Sequence, residues 1–112
     1  MSNPRRELTA SKVAPVFAAL GDGIRLELLT RLSNGQPQSI SQLTLGLSLT
    51  RQGVSKHLSI LEQARLVTRK RVGRETRYSL QYRTLNDAGR YLDRASEQWD
   101  DAMGRLRELV EK

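Results

Sequence analysis

The sequence contains no cysteine and a single histidine, His57. Disulfides, thiolate metal sites and cysteine redox sensing are therefore excluded, and the lone His57, with no second His or Cys to chelate with, leaves at most a carboxylate-rich metal site among Asp87, Asp93, Glu97, Asp100 and Asp101, so no metal or cofactor is expected. Aromatic residues make up only 4% of the 112 residues, too few for the stacking platforms that read single-stranded nucleic acid. Long apolar runs are missing as well. Nothing approaches the ~18 consecutive apolar residues of a membrane span, and Met1 to Lys12 has no signal-peptide core, so a cytoplasmic protein without a membrane partner is expected. With one His, no Gly-rich phosphate loop and no acid pair on a credible cleft, enzymatic chemistry is not expected either.

Positive charge is what the chain has in excess. Nineteen Lys and Arg stand against 12 Asp and Glu, giving a net charge of +7 and a pI near 10.6, a balance that suits a polyanionic partner, nucleic acid ahead of an anionic membrane surface. Hydrophobic residues at 38% and charged residues at 28% fit a folded helical protein, and the length fits one domain. Residues 1–12, with Pro4, Arg5 and Arg6 and no periodicity, read as a flexible basic arm ahead of a single domain over 13–112.

Within that domain, Val13, Val16, Phe17 and Leu20 fall at helical spacing, and Pro15 requires the helix to start near Val13 or to kink. Asp22 can cap a second helix with Ile24, Leu28, Leu29 and Leu32 on its buried face, stopped by Asn34-Gly35. Ser39 and Gln42 form a capping box for a short third helix carrying Ile40, Leu43 and Leu47. Thr50 caps a fourth, Arg51 to about Gln63, whose apolar stripe is Val54, Leu58 and Leu61. The last two form a helix-turn-helix at about 39–63. From Leu66 to Leu80, enrichment in Thr, Val and Tyr around Gly73-Arg74 predicts a β-hairpin, or wing, at about 66–80. The fold expected is mainly α with a small β-hairpin: a winged helix-turn-helix with a long C-terminal helix, about 84–112, capped by Thr84 and Asp87.

That last helix carries an unbroken heptad seam of Leu85, Ala88, Leu92, Ala95, Trp99, Ala102, Leu106 and Leu109. At 1.5 Å per residue it is roughly 43 Å long, more than a domain this small can cover. Self-association is the economical outcome, and a homodimer interface is expected at Val16, Phe17, Leu92, Ala95, Trp99, Ala102 and Leu106.

The fourth helix turns Gln52, Ser55, Lys56 and Ser59 away from its apolar stripe. These side chains can bond base edges in a major groove, and Arg51 in the first turn is placed for phosphate. A polar outer face is also what any amphipathic helix needs, so the neighbouring charge matters. Between Arg65 and Arg83 stand seven basic residues and one acid, Glu75, which is +6 of the chain's +7. Solvated strands usually mix both signs, so Arg69, Lys70, Arg71, Arg74 and Arg77 are assigned to phosphate contact, with Arg74 at the tip able to enter a minor groove. The expected partners are double-stranded DNA and a second copy of the chain. A winged-helix module that docks an acidic protein is the alternative, and no residue pattern specifies a small-molecule inducer.

The runs Phe17-Ala-Ala-Leu-Gly-Asp-Gly-Ile-Arg25 and Leu49-Thr-Arg-Gln-Gly-Val-Ser-Lys-His-Leu-Ser-Ile-Leu-Glu62, followed by Leu66-Val67, Gly73-Arg74 and Tyr78-Ser-Leu80, resemble the ArsR/SmtB-type winged-helix repressors over roughly residues 13–80. With Tyr91-Leu92-Asp93 and Trp99, the chain looks like the subgroup lacking metal-binding cysteines. The resemblance implies a homodimer through the first and last helices and operator binding by the fourth helix and wing, giving repression of a nearby operon. Two positions depart from the pattern: Gly23-Ile24 stands where Pro-Thr is usual, and Arg65 where a helix-ending Gly is common, which implies a non-Gly left-handed residue or a different cap.

Overall fold

The computed structural model describes residues 9–111. Their order is α1 (Ala10–Leu20), α2 (Gly23–Leu32), β1 (Gln38–Ser39), α3 (Ile40–Thr44), α4 (Arg51–Gln63), β2 (Val67–Val72), β3 (Glu75–Leu80) and α5 (Tyr82–Glu111). The basic arm expected over 1–12 falls mostly outside the described residues, and its last three positions are helical. α1 starts at Ala10 and runs through Pro15. Proline is tolerated inside this helix because the backbone bond it removes would have ended on Ser11, and Ser11 and Pro15 both face solvent.

Local caps set the helix boundaries. Asp22 accepts a bond from the Arg25 amide at 3.0 Å, and Gly35, at φ 82°, turns the chain after α2. Ser39 and Gln42 close their reciprocal capping box, and the Thr50 hydroxyl accepts from Gly53 N–H at 3.0 Å. One buried core unites these elements: Leu28, Leu32, Leu43, Val54, Leu58, Leu61 and Leu66 are fully inaccessible.

The hairpin forms as expected, with Gly73 at φ 65° leading its two-residue turn and Val72 opposite Glu75. The sheet, however, has a third strand. β1 pairs antiparallel with β3, Gln38 opposite Tyr78 and Ser39 opposite Arg77. Two residues show no periodicity of their own, so only the pairing defines them as a strand.

α4 ends in a Schellman motif: Arg65 N–H bonds the Glu62 carbonyl and Leu66 N–H the Leu61 carbonyl, both at 2.9 Å. The residue that must turn left-handed is Arg65, at φ 63°. Arg65→Gly is therefore expected to stabilise the fold by about 0.5–1 kcal/mol, the relief of the side-chain clash less the extra entropy of glycine. A raised urea midpoint at unchanged slope is the readout; an unchanged or lowered midpoint would show that the left-handed turn carries no strain here.

α5 begins at Tyr82, two residues before the expected start, and Thr84 does not cap it. The Thr84 hydroxyl donates to the Arg65 carbonyl instead, and Gln81 N–H bonds the Leu66 carbonyl at 2.8 Å, which joins the end of α4 to the start of α5. Asp87 pairs with Arg90 at 3.3 Å. Past its contact with α1, α5 projects: from Leu92 to Glu111 no residue is buried. The longest dimension is 67 Å and the radius of gyration 18.3 Å, against about 13 Å for a compact domain of this length.

Candidate nucleic-acid interface

The core stripe of α4 fixes which of its side chains face out. With Val54, Leu58 and Leu61 fully buried, Arg51, Gln52, Lys56 and Ser59 are exposed, whereas Ser55 is half-buried and sits at the edge of the face rather than in its middle. The first turn of α4 carries no acidic residue, so the positive end of the helix dipole is left available to an anion.

In the hairpin, cross-strand register decides the faces. Arg69 lies opposite Tyr78 and Arg71 opposite Thr76, on the side of the buried Val67, while Lys70 pairs with Arg77 on the other side. The basic residues thus wrap the hairpin instead of forming one stripe. Two of them are engaged within the chain: Arg69 pairs with Glu62 of α4 at 3.2 Å, and Arg77 with Glu75 at 3.0 Å. The first pair ties the root of the hairpin to α4 and neutralises the acid nearest the exposed face of that helix. Arg71 bonds the Gly73 carbonyl at 3.3 Å, and Lys70 and Arg74 are exposed. Lys70, Arg71 and Arg74 are in none of the ion pairs found among the described residues.

Behind this surface lies a cluster that the pattern of residues alone did not reveal. The Arg25 guanidinium donates through Nε to the Ala19 carbonyl at 2.6 Å and through Nη2 to the Ala18 carbonyl at 3.4 Å, and its Nη1 lies 3.2 Å from His57 Nδ1. A guanidinium only donates, so Nδ1 is the acceptor. The Asp22 carboxylate, 3.7 Å from the same nitrogen, is beyond hydrogen-bond reach of it. Arg25 therefore binds the last turn of α1 to the middle of α4. Arg31 does the same for the helix-turn-helix, donating to the Leu43 carbonyl at 3.0 Å and the Leu45 carbonyl at 2.5 Å.

The Arg25 amide first, and then the charge of its guanidinium, hold the Asp22 carboxyl below the usual carboxylate range. A carboxylate with a depressed folded-state pKa contributes stability above its unfolded value, and that contribution is lost as pH falls through the folded one. Asp22→Asn keeps a capping side chain but cannot titrate, so its thermal midpoint is expected to fall less steeply than that of the wild type below about pH 4. Parallel acid limbs would remove Asp22 from the pH dependence.

The expected dimer residues divide. Leu92, Trp99 and Leu106 are 53%, 67% and 53% exposed, and Leu109 is 72% exposed; Ala95 is exposed and Ala102 half-buried. Phe17 is half-buried, its ring 6.3 Å from that of Tyr91. Val16, by contrast, belongs to the protomer's own core at 9% exposure, because α5 already packs on α1 at this level.

Two helices joined by a tight turn, the second presenting a polar outer face, with a basic hairpin directly behind, define a winged helix-turn-helix protein. A helix-turn-helix domain family model matches residues 20–70. The chain is 45% identical over 65 residues to the uncharacterized HTH-type transcriptional regulator YuzN of Bacillus subtilis, covering 53% of this chain and 71% of YuzN. It is 33% identical over 95 residues to the HTH-type transcriptional regulator Rv2034 of Mycobacterium tuberculosis, covering 85% of each. The solved structure of an ArsR-like transcriptional regulator from Rhodococcus sp. RHA1 superposes with a TM-score of 0.77 at 39% identity, over 88% of this chain and 92% of that one. The chain belongs to the ArsR family of winged helix-turn-helix transcriptional regulators. These are DNA-binding regulators and not enzymes.

Proposed function

We propose that the chain acts as a homodimeric repressor on an inverted-repeat operator. The observation that carries this reading is the unpartnered apolar seam of α5, with Leu92, Trp99, Leu106 and Leu109 all more than half exposed. Monomeric proteins seldom present a continuous apolar face of this length, and a two-fold pairing covers it with the same face of a second copy. Such a dimer presents two α4 helices to successive major grooves, roughly 34 Å apart, with the hairpins on the flanking phosphates. Gln52, Lys56 and Ser59 then face base edges, Ser55 touches their margin, and Arg51, Lys70, Arg71 and Arg74 meet phosphate. Arg69 and Arg77 reach phosphate only by leaving Glu62 and Glu75, so their contribution is smaller. A bound operator is closed to polymerase, so the output is repression.

Selection of duplexes from a random pool at about 0.15 M salt, with the oligomeric state followed by sedimentation, tests this reading. An enriched inverted repeat with half-sites about ten base pairs apart is expected. Enrichment of nothing would leave a general anion-binding surface and favour an acidic protein partner. On the enriched duplex, Lys56→Ala is expected to cost about 1–3 kcal/mol while leaving the dimer intact, and unchanged specific affinity would remove Lys56 from the base-reading face.

A further inference from the structure

A cleft of about 810 Å³ opens between α1, the end of α4 and the start of α5, a size that holds a small organic ligand. Val13, Val16 and Ala88 lie at its base beside Ser11, Gln63 and Gln81, and its rim carries Lys12, Arg65, Arg83 and Arg90. The acid on the rim, Asp87, is already paired with Arg90, and none of the ion pairs among the described residues engages Arg65 or Arg83. Cations of one sign gathered round a partly apolar base repel one another and are relieved by an anion with an apolar body.

Three further features bear on the cleft. Arg65 sits at φ 63°, where glycine is the residue without steric cost, so a cation is kept at the rim against a backbone penalty. Arg83, Asp87 and Arg90 stand on the outer flank of α5, off the Leu85–Leu109 seam, so covering the seam leaves the rim open. The cleft also borders the joint where Thr84 bonds the Arg65 carbonyl, the link between α4 and the helix proposed to set dimer geometry.

We propose that this cleft is an effector site for an amphipathic organic anion, an apolar body bearing a carboxylate, sulfonate or phosphate group, whose occupancy shifts α4 relative to α5 and lowers DNA affinity. The binding site stands on the cleft itself; the effect on DNA rests on the regulator reading above.

The probe is 8-anilinonaphthalene-1-sulfonate, titrated by fluorescence beside its uncharged analogue N-phenyl-1-naphthylamine. The wild-type protein is expected to bind one sulfonate per chain at least about tenfold more tightly than the neutral compound, and the Arg65→Gly, Arg83→Gln double variant to lose that preference. A thermal midpoint of the double variant no lower than that of the wild type separates this loss from unfolding. Saturating sulfonate is expected to weaken the selected duplex at least about threefold for the wild type and not for the variant. Equal sulfonate affinity in both proteins would overturn the site, as would tight binding that leaves duplex affinity unchanged. A double variant whose own duplex affinity falls as far as that of Lys56→Ala would assign these cations to DNA phosphate and overturn the proposal too. Failure of the regulator reading shows separately, as absence of duplex binding by the unliganded protein.

Discussion

Trp99→Asp is expected to give a folded monomer with at least ~100-fold weaker binding to its duplex, because the avidity of two linked half-sites is lost. Trp99 is 67% exposed and lies eleven residues, or about 16 Å, beyond Ala88 along α5, well past the buried core, so the thermal midpoint of the chain itself should hardly move. In the proposed dimer the same position is the largest side chain of the seam. A carboxylate there would be desolvated against the partner's apolar face, a cost of several kcal/mol with nothing to pair it. Sedimentation equilibrium and duplex titration read the two effects together. A variant that stays dimeric at micromolar concentration would place the interface elsewhere than on the α5 seam, and Leu92→Asp would be expected to fail in the same way.

The second large effect concerns the support behind the reading helix. Arg25→Ala is expected to destabilise the fold by about 2–3 kcal/mol, the range for removing charge-assisted bonds and leaving part-buried acceptors without donors. It strips the Ala18 and Ala19 carbonyls and His57 Nδ1 of their guanidinium partner at once. Arg25→Lys should recover only part of this, since one ammonium cannot span two carbonyls and a ring nitrogen from a single point. Urea unfolding at unchanged slope provides the measurement; a loss below about 0.5 kcal/mol would mean that packing alone holds α1 against α4. A tilt of α4 on the same core should also weaken duplex binding beyond the stability loss, because the outward face of Lys56 is aimed by the way Leu58 and Leu61 seat.

The two variants differ in what they report. In the proposed dimer the Trp99 variant acts between protomers and spares the monomer, whereas Arg25 acts inside the monomer and its loss spares the seam. A chain that fails to bind duplex for lack of a partner is thus distinguishable from one whose reading helix is misplaced.

What the chain of residues settled by itself is local. The caps at Asp22, Ser39 and Thr50, the Gly73-Arg74 hairpin and the heptad seam were all legible, because each depends on side chains within four residues of one another, or on a period the sequence displays directly. So was the outer face of α4, since one apolar stripe dictates the opposite side. The exposed basic hairpin followed from its count of charges. Tertiary structure decided everything that needs a partner distant in sequence. Gln38 and Ser39 become a strand only because Tyr78 and Arg77 lie beside them. Thr84 abandons the cap for the Arg65 carbonyl, and Val16 is taken into the protomer's own core. Arg69 and Arg77, counted as charges for phosphate, meet Glu62 and Glu75. The Arg25–His57 link spans 32 residues, and the cationic cleft draws on three helices. Periodicity and charge counts carry no information about which distant groups meet, since that choice is made by the packing of the whole core, and it is there that the supports and the candidate effector site of this protein arise.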